Sequence, residues 1–173
     1  HQTTARFPVM TADETDNHPA TLILGLGNTL LRDEAAGVQA LRQLEAQGGI
    51  PGALLLDGGT LSFTLAGHIA DCSRLIVIDA AAMGTPPGSV RVFEGDAMDR
   101  QLSGRGKSVH EVSLMELLDM ARLTDTLPRR RALIGIEPAL VDWGDGLTAA
   151  VAAAVPGALA AVRDLMTRWD RGG

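Results

Sequence analysis

The chain has 173 residues, 46% hydrophobic and 21% charged. That is enough to bury the core of one domain and too apolar for a chain disordered throughout. Fifteen Lys and Arg against 21 Asp and Glu leave a formal net charge of -6, the wrong sign for a general nucleic-acid binder. A single cysteine, Cys72, excludes an internal disulfide and a Cys-rich zinc site and fits a reducing compartment.

Residues His1 to Ala20 are polar and without periodicity. They read as a flexible tail, with Met10 a candidate native start behind vector-derived residues. One domain is expected over 21–173. No charged-then-apolar signal pattern opens the chain. The longest uncharged stretch, Gly146 to Val162, is mostly alanine interrupted by Pro156 and Gly157, shorter and less apolar than a spanning helix. The expectation is a soluble, cytoplasmic, monomeric protein with neither a membrane nor a nucleic-acid partner.

After Ala20, short apolar runs alternate with helical patterns. Strands are expected at Thr21–Leu26, Ala53–Leu56, Arg74–Ile78, Ser89–Phe93 and Ala132–Ile136. Val38, Leu41 and Leu44 recur at helical spacing, as do Leu114, Leu117, Leu118 and Ala121. Thr64–Asp71 reads as a short helix, and Thr148–Arg168 as a long one bent at Pro156. Unbroken apolar strands alternating with helices predict an α/β three-layer sandwich: a mostly parallel five-stranded sheet with helices on both faces. Ligands of such sheets bind beyond the carboxyl ends of the strands, so chemistry is sought there.

The first strand runs into Gly25-Leu26-Gly27-Asn28-Thr29-Leu30-Leu31-Arg32-Asp33-Glu34. This imitates a dinucleotide fingerprint, with Asp57 in place of a ribose-binding acid. Leu30 stands where the third glycine belongs, however, and two acids at the helix start would repel a pyrophosphate. A nucleotide-binding oxidoreductase is thus kept as an alternative. Asp33 and Glu34 also suit helix capping. The second strand ends in Asp57-Gly58-Gly59-Thr60, an ordinary turn signal that would also let a ligand approach the backbone. The third runs directly into Asp79, an acid at the sheet rim with no evident turn role. Ser108 and Glu111 have capping-box spacing, which places His110 in a first helical turn, where the helix dipole disfavours the imidazolium. Glu34, Asp79 and His110 therefore fall at one sheet edge. Two carboxylates and an imidazole make a partial shell for nickel or zinc, with no fourth ligand evident. Neither a His-Glu-x-x-His helix nor a Gly-x-Ser-x-Gly elbow is present.

The ordered set Gly25–Glu34, Leu56-Asp57-Gly58-Gly59-Thr60, Ile78-Asp79-Ala80 and His110-Glu111, followed by Gly135-Ile136-Glu137-Pro138, resembles the nickel–iron hydrogenase maturation endopeptidases. The similarity extends from about Thr21 to Val162. It implies a hydrolase, classed in the family as an aspartic-type endopeptidase, that removes the C-terminal extension of the hydrogenase large-subunit precursor after nickel insertion. It also implies that Glu34, Asp79 and His110 contact nickel supplied by that client, with no permanent cofactor. Catalysis would then fall to Asp57, Glu34 or Asp79, since no Asp-Thr-Gly pair supplies an aspartic dyad. A nickel chaperone without protease activity is the second alternative. Ser62 stands where many relatives have glycine. His68 reads as a surface or partly packed residue and Arg129-Arg130-Arg131 as a solvated loop. Trp143 reads as a packing residue or, alternatively, a client-docking aromatic.

Overall fold

Five apolar runs become the strands of one sheet: β1 (Thr21–Gly25), β2 (Ala53–Asp57), β3 (Arg74–Ala80), β4 (Val90–Glu94) and β5 (Arg130–Ile136). The structure is a computed structural model that describes residues 20–59, 64–104 and 106–172. The expected tail up to residue 19, and with it Met10, Thr60 and Ser62, lie outside the described residues. Strand order is β2-β1-β3-β5-β4. Neighbours are parallel except β4, which runs antiparallel to β5. The chain leaves β1 for β2 on one side and returns to β3 on the other. Connections therefore diverge at the carboxyl ends of β1 and β3, opening the crevice where α/β sheets bind ligands.

The helices are α1 (Ala36–Ala46), α2 (Thr64–Asp71), α3 (Asp96–Leu102), α4 (Val109–Leu123) and α5 (Ala149–Gly172). Alternate strand residues point to opposite faces. Ile23, Ile76, Ile78, Ile134 and Ile136 accordingly pack under α1 and α5, while Leu22, Leu24, Leu75, Val77 and Leu133 pack under α2, α3 and α4. Burial on both faces explains why the strands read as unbroken apolar runs.

Several expectations need correction. β3 extends to Ala80, so Asp79 is not beyond the strand but inside it, in register with Gly135 and fully buried. β5 starts at Arg130, so the arginine run is not a solvated loop. Arg131 is nearly buried and grips Asp99 of α3 with Nε at 3.1 Å and Nη2 at 2.7 Å, a bidentate pair of the stronger kind. α3 itself has too few apolar positions to announce its period. α5 runs through Pro156 to residue 172 and is long and apolar enough, by length and composition alone, to cross a bilayer. Its stripe from Val151 through Val155, Leu159 and Val162 to Trp169 lies in the core against α1, β4 and β5, so here it is a core helix.

Close approach of α1 to the sheet rests on glycine. A Cβ on Gly37 would stand 2.1 Å from the Ile78 carbonyl oxygen and 2.5 Å from that of Leu26. Backbone atoms cannot yield to it. Gly37→Ala is expected to destabilise the fold by about 3 kcal/mol. Gly67→Ala, in a helix with nothing near the added carbon, should leave stability unchanged or raise it by about 0.5 kcal/mol. Urea denaturation of the two variants measures the contrast.

Candidate active site

The segment after β1 is shaped by Gly27. Its φ is +132°, and a Cβ there would lie 1.8 Å from the Glu34 carbonyl oxygen. A 3₁₀ turn over Arg32–Ala35 therefore folds directly over Gly27 before α1 begins. The space a pyrophosphate would need at such a fingerprint is filled by the chain's own backbone, against the nucleotide reading.

Asp33 does not cap its own helix. It is fully buried, and its Oδ2 accepts the Ala139 and Leu140 amides at 2.9 Å and the Thr148 hydroxyl at 2.8 Å. Its Oδ1 accepts the Thr148 amide at 2.7 Å, at the start of α5. Burial opposes the charged form, but these four donors outweigh it and hold the carboxyl below its ordinary range. Glu137, also buried, plays the same part for the loop after β3. Its Oε1 accepts the Met83 and Thr85 amides at 2.9 Å and the Thr85 hydroxyl at 3.0 Å.

Ser108 caps α4, its hydroxyl accepting the Glu111 amide at 3.3 Å. This fixes His110 in the first turn, where it meets both predicted acids. His110 Nδ1 lies 3.2 Å from Glu34 Oε1, and Nε2 lies 2.9 Å from Asp79 Oδ1. Three residues far apart in sequence are thus joined through one ring. Burial disfavours the imidazolium, yet the hydrogen bond and charge of Asp79 and the charges of Glu34 and Glu111 outweigh it, raising the His110 pKa. The helix dipole does not prevail, contrary to expectation. Asp79 is pushed up to about 6 by burial, which its bond to His110 only partly offsets. The ring therefore keeps its proton to higher pH than a free imidazole, and a cation binding that nitrogen must displace it.

Glu111, taken from sequence only as a capping residue, is also buried beside this cluster. Its Oε1 accepts the Ser108 hydroxyl at 3.1 Å, while Lys107 Nζ is 4.0 Å from its Oε2. Among the described residues, three buried side-chain polar atoms lack a hydrogen bond, and two of them are Asp79 Oδ2 and Glu111 Oε2. Orphaned buried carboxylate oxygens are costly unless a cation or proton meets them. The donor set of carboxylates and imidazole therefore fits a divalent first-row metal.

A cleft of about 660 Å³ opens over the cluster, lined by Gly27, Asn28, Glu34, Asp57, Gly59 and His110 among others. Asp57 ends β2 and is exposed, bound through Oδ1 to the Gly59 amide at 2.8 Å. Arg42 of α1, 3.9 Å from Asp57 Oδ2, also lines the cleft. Sequence reasoning passed over it because a lone charge on the polar side of an amphipathic helix has no distinguishing pattern. Cys72 is buried with its thiol pushed up to about 11 by burial, which removes it as a nucleophile. His68 is exposed on α2, as expected. Trp143 is not a packing residue: it is 74% exposed.

A family model described as hydrogenase maturation protease matches residues 38–164. The chain belongs to the hydrogenase maturation protease family. It is 36% identical over 148 residues to the hydrogenase expression/formation protein HoxM of Cupriavidus necator, covering 84% of this chain and 73% of that one. It is 33% identical over 140 residues to the hydrogenase 2 maturation protease of Escherichia coli, covering 80% and 85%. Among solved structures it superposes on the hydrogenase maturating endopeptidase HybD from E. coli with a TM-score of 0.78 and 30% identity, over 88% of this chain and 93% of that one. A [NiFe] hydrogenase maturation protease from Thermococcus kodakarensis gives 0.72 and 32%, over 84% and 97%. These matches bear out the expected α/β fold and peptidase family.

Because Asp33 ties the turn carrying Glu34 to the loop before α5, Asp33→Ala should cost about 3 kcal/mol or more by orphaning buried amides. Its folded pKa lies below the unfolded one, so the stabilisation is present above the ordinary Asp range and fades as pH falls through the folded value. Denaturant melts of wild type and variant at neutral pH and near pH 3 should show the gap narrowing in acid.

Proposed function

We propose that this chain is an endopeptidase that removes the C-terminal extension of the nickel–iron hydrogenase large-subunit precursor, using the client's nickel as its recognition element. One observation carries this reading within the family: Glu34, Asp79 and His110 converge through the imidazole at the crevice of the sheet. Glu34 and His110 line the cleft, and Asp79 holds the ring from the buried side. Nickel held in the precursor would be met by these donors, so docking is strongest once the client is loaded.

Peptide hydrolysis requires water to attack the scissile carbonyl carbon, the C–N bond to break and the leaving amine to gain a proton. Asp57 is the exposed carboxylate of the cleft, with one oxygen held by the Gly59 amide. It is positioned to take the water's proton and return it to the amine. Arg42 lies across from it, its guanidinium 3.9 Å from Asp57 Oδ2. The aspartic character is therefore that of single acids on separate strands. Asp79 has His110 as its hydrogen-bonded partner, with no second aspartate bound to it among the described residues.

Leu30, Leu140, Val141 and Trp143 are exposed. Their segments are joined by the Gly144 amide to the Leu30 carbonyl at 3.1 Å and the Asp33 amide to the Leu140 carbonyl at 3.2 Å. An apolar rim beside the cleft suits the precursor's surface better than a free metal ion, which favours the protease over the nickel chaperone.

The test is to mix the protein with nickel-loaded precursor and weigh the products. Glu34→Gln, Asp79→Asn and His110→Ala should abolish cleavage with the helical circular dichroism intact, while His68→Ala cleaves as wild type. Precursor without nickel should resist, and treating the protease with chelator beforehand should not prevent cleavage of loaded precursor. Efficient cutting of nickel-free precursor would overturn the recognition element. An unchanged precursor mass under all conditions would favour the chaperone. Separately, Trp143→Ala should raise KM several-fold and leave kcat within about two-fold, as expected where only docking area is lost.

A further inference from the structure

We propose that Glu111 is a further protein donor to the divalent cation at this site, meeting it beside Asp79 and His110, and one that the sequence spacing of Glu34, Asp79 and His110 leaves out. The inference extends the nickel reading above and rests on it for the identity of the cation, though not for the donor set.

One donor atom from each of Asp79, His110 and Glu111 lies within 4.8 Å of the others. Donors bonded to one ion at about 2.0–2.2 Å stand no more than about 4.4 Å apart, so small side-chain shifts bring this group onto one ion. Glu111 is only 4% exposed and Asp79 is fully buried, and each keeps one oxygen without a hydrogen bond. The other oxygens are engaged: Asp79 Oδ1 by His110 Nε2, and Glu111 Oε1 by the Ser108 hydroxyl. Each carboxylate is thus oriented by one oxygen and has the other to give.

A capping-box acid commonly turns back to the N-cap amide. Here it reaches the Ser108 hydroxyl, which is also 3.1 Å from His110 Nε2. Ser108 therefore holds Glu111 and the ring together on the buried side, opposite Glu34. Lys107 places its ammonium 4.0 Å from Glu111 Oε2, and both side chains are nearly buried. That ammonium partly neutralises Glu111 while no metal is bound, and competes with an arriving cation for the same oxygen.

The consequence is that the protein alone binds divalent cations more tightly than it would without Glu111. The probes are cobalt(II), whose visible spectrum reports its donors, and zinc as competitor, both with the purified full chain. Glu111→Gln keeps an acceptor for the Ser108 hydroxyl and removes the charge. It should weaken cobalt binding by more than the roughly ten-fold that follows loss of a ligand's partner, and should also shift the ligand-field bands of bound cobalt. Lys107→Met should tighten binding. Thermal melts of the apo variants establish that both fold.

Wild-type affinity and an unshifted spectrum in Glu111→Gln would overturn the proposal, as would a wild-type chain that binds no cobalt at millimolar concentration. Weakened binding with an unchanged spectrum would also overturn it, since Glu111 would then act only through Ser108 and the ring. Cleavage of nickel-loaded precursor is scored in parallel on wild type. Failure there with the cobalt results as expected sinks the client reading and leaves Glu111 a donor. Cleavage by wild type with unaffected cobalt binding in Glu111→Gln sinks the Glu111 donor alone.

Discussion

Two carboxylates on one imidazole, in a place largely closed to water, is the interaction that the rest of this structure serves. Neither contact is close in sequence: Asp79 comes from β3, Glu34 from the turn after β1, and His110 from the first turn of α4. Holding like charges together around a ring is unfavourable unless the surrounding scaffold is rigid. The scaffold supplies that rigidity through glycine packing under the turn and through a serine cap under the histidine. It also uses buried carboxylates, which accept backbone amides from otherwise irregular loops.

Those structural carboxylates deserve comparison with the candidate ligands. Asp33 and Glu34 are adjacent, yet Asp33 points inward to four donors while Glu34 faces the cleft and His110. Asp33 is held ionised by hydrogen bonds and has little capacity left for a metal. Asp79 has the opposite balance, one oxygen bonded and one orphaned in a buried place. A carboxylate saturated by amides stabilises a loop, whereas one left half-satisfied is suited to bind. Glu137 belongs with Asp33, and Glu111 with Asp79.

The topology explains why such residues meet here. Because β1 has β2 on one side and β3 on the other, the chain segments leaving their carboxyl ends part and leave a crevice. Glu34 and Asp57 enter it from β1 and β2. His110 reaches it from the opposite helical layer, whose start lies over the end of β3. The loop before α5, tied down by Asp33, forms a rim that exposes Trp143 rather than burying it.

Fold class, the order of strands along the chain and the three ring-joined residues were legible in sequence, because they follow from local rules. Apolar runs of strand length mark β1 to β5, period 3.6 marks α1 and α4, and Ser108 three residues before Glu111 marks the start of α4. Other features depend on what lies across the fold and leave no local trace. Asp33 looks like a helix cap, but its partners are 106 or more positions away. Arg131 looks solvated until α3 brings Asp99 to it. Glu111 looks like half of a capping box until burial leaves its second oxygen without a hydrogen bond beside Asp79. Residue type and spacing determined which groups could ligate or cap. Only the tertiary structure decided which acids are satisfied and which are not, because hydrogen-bond satisfaction and desolvation depend on long-range neighbours.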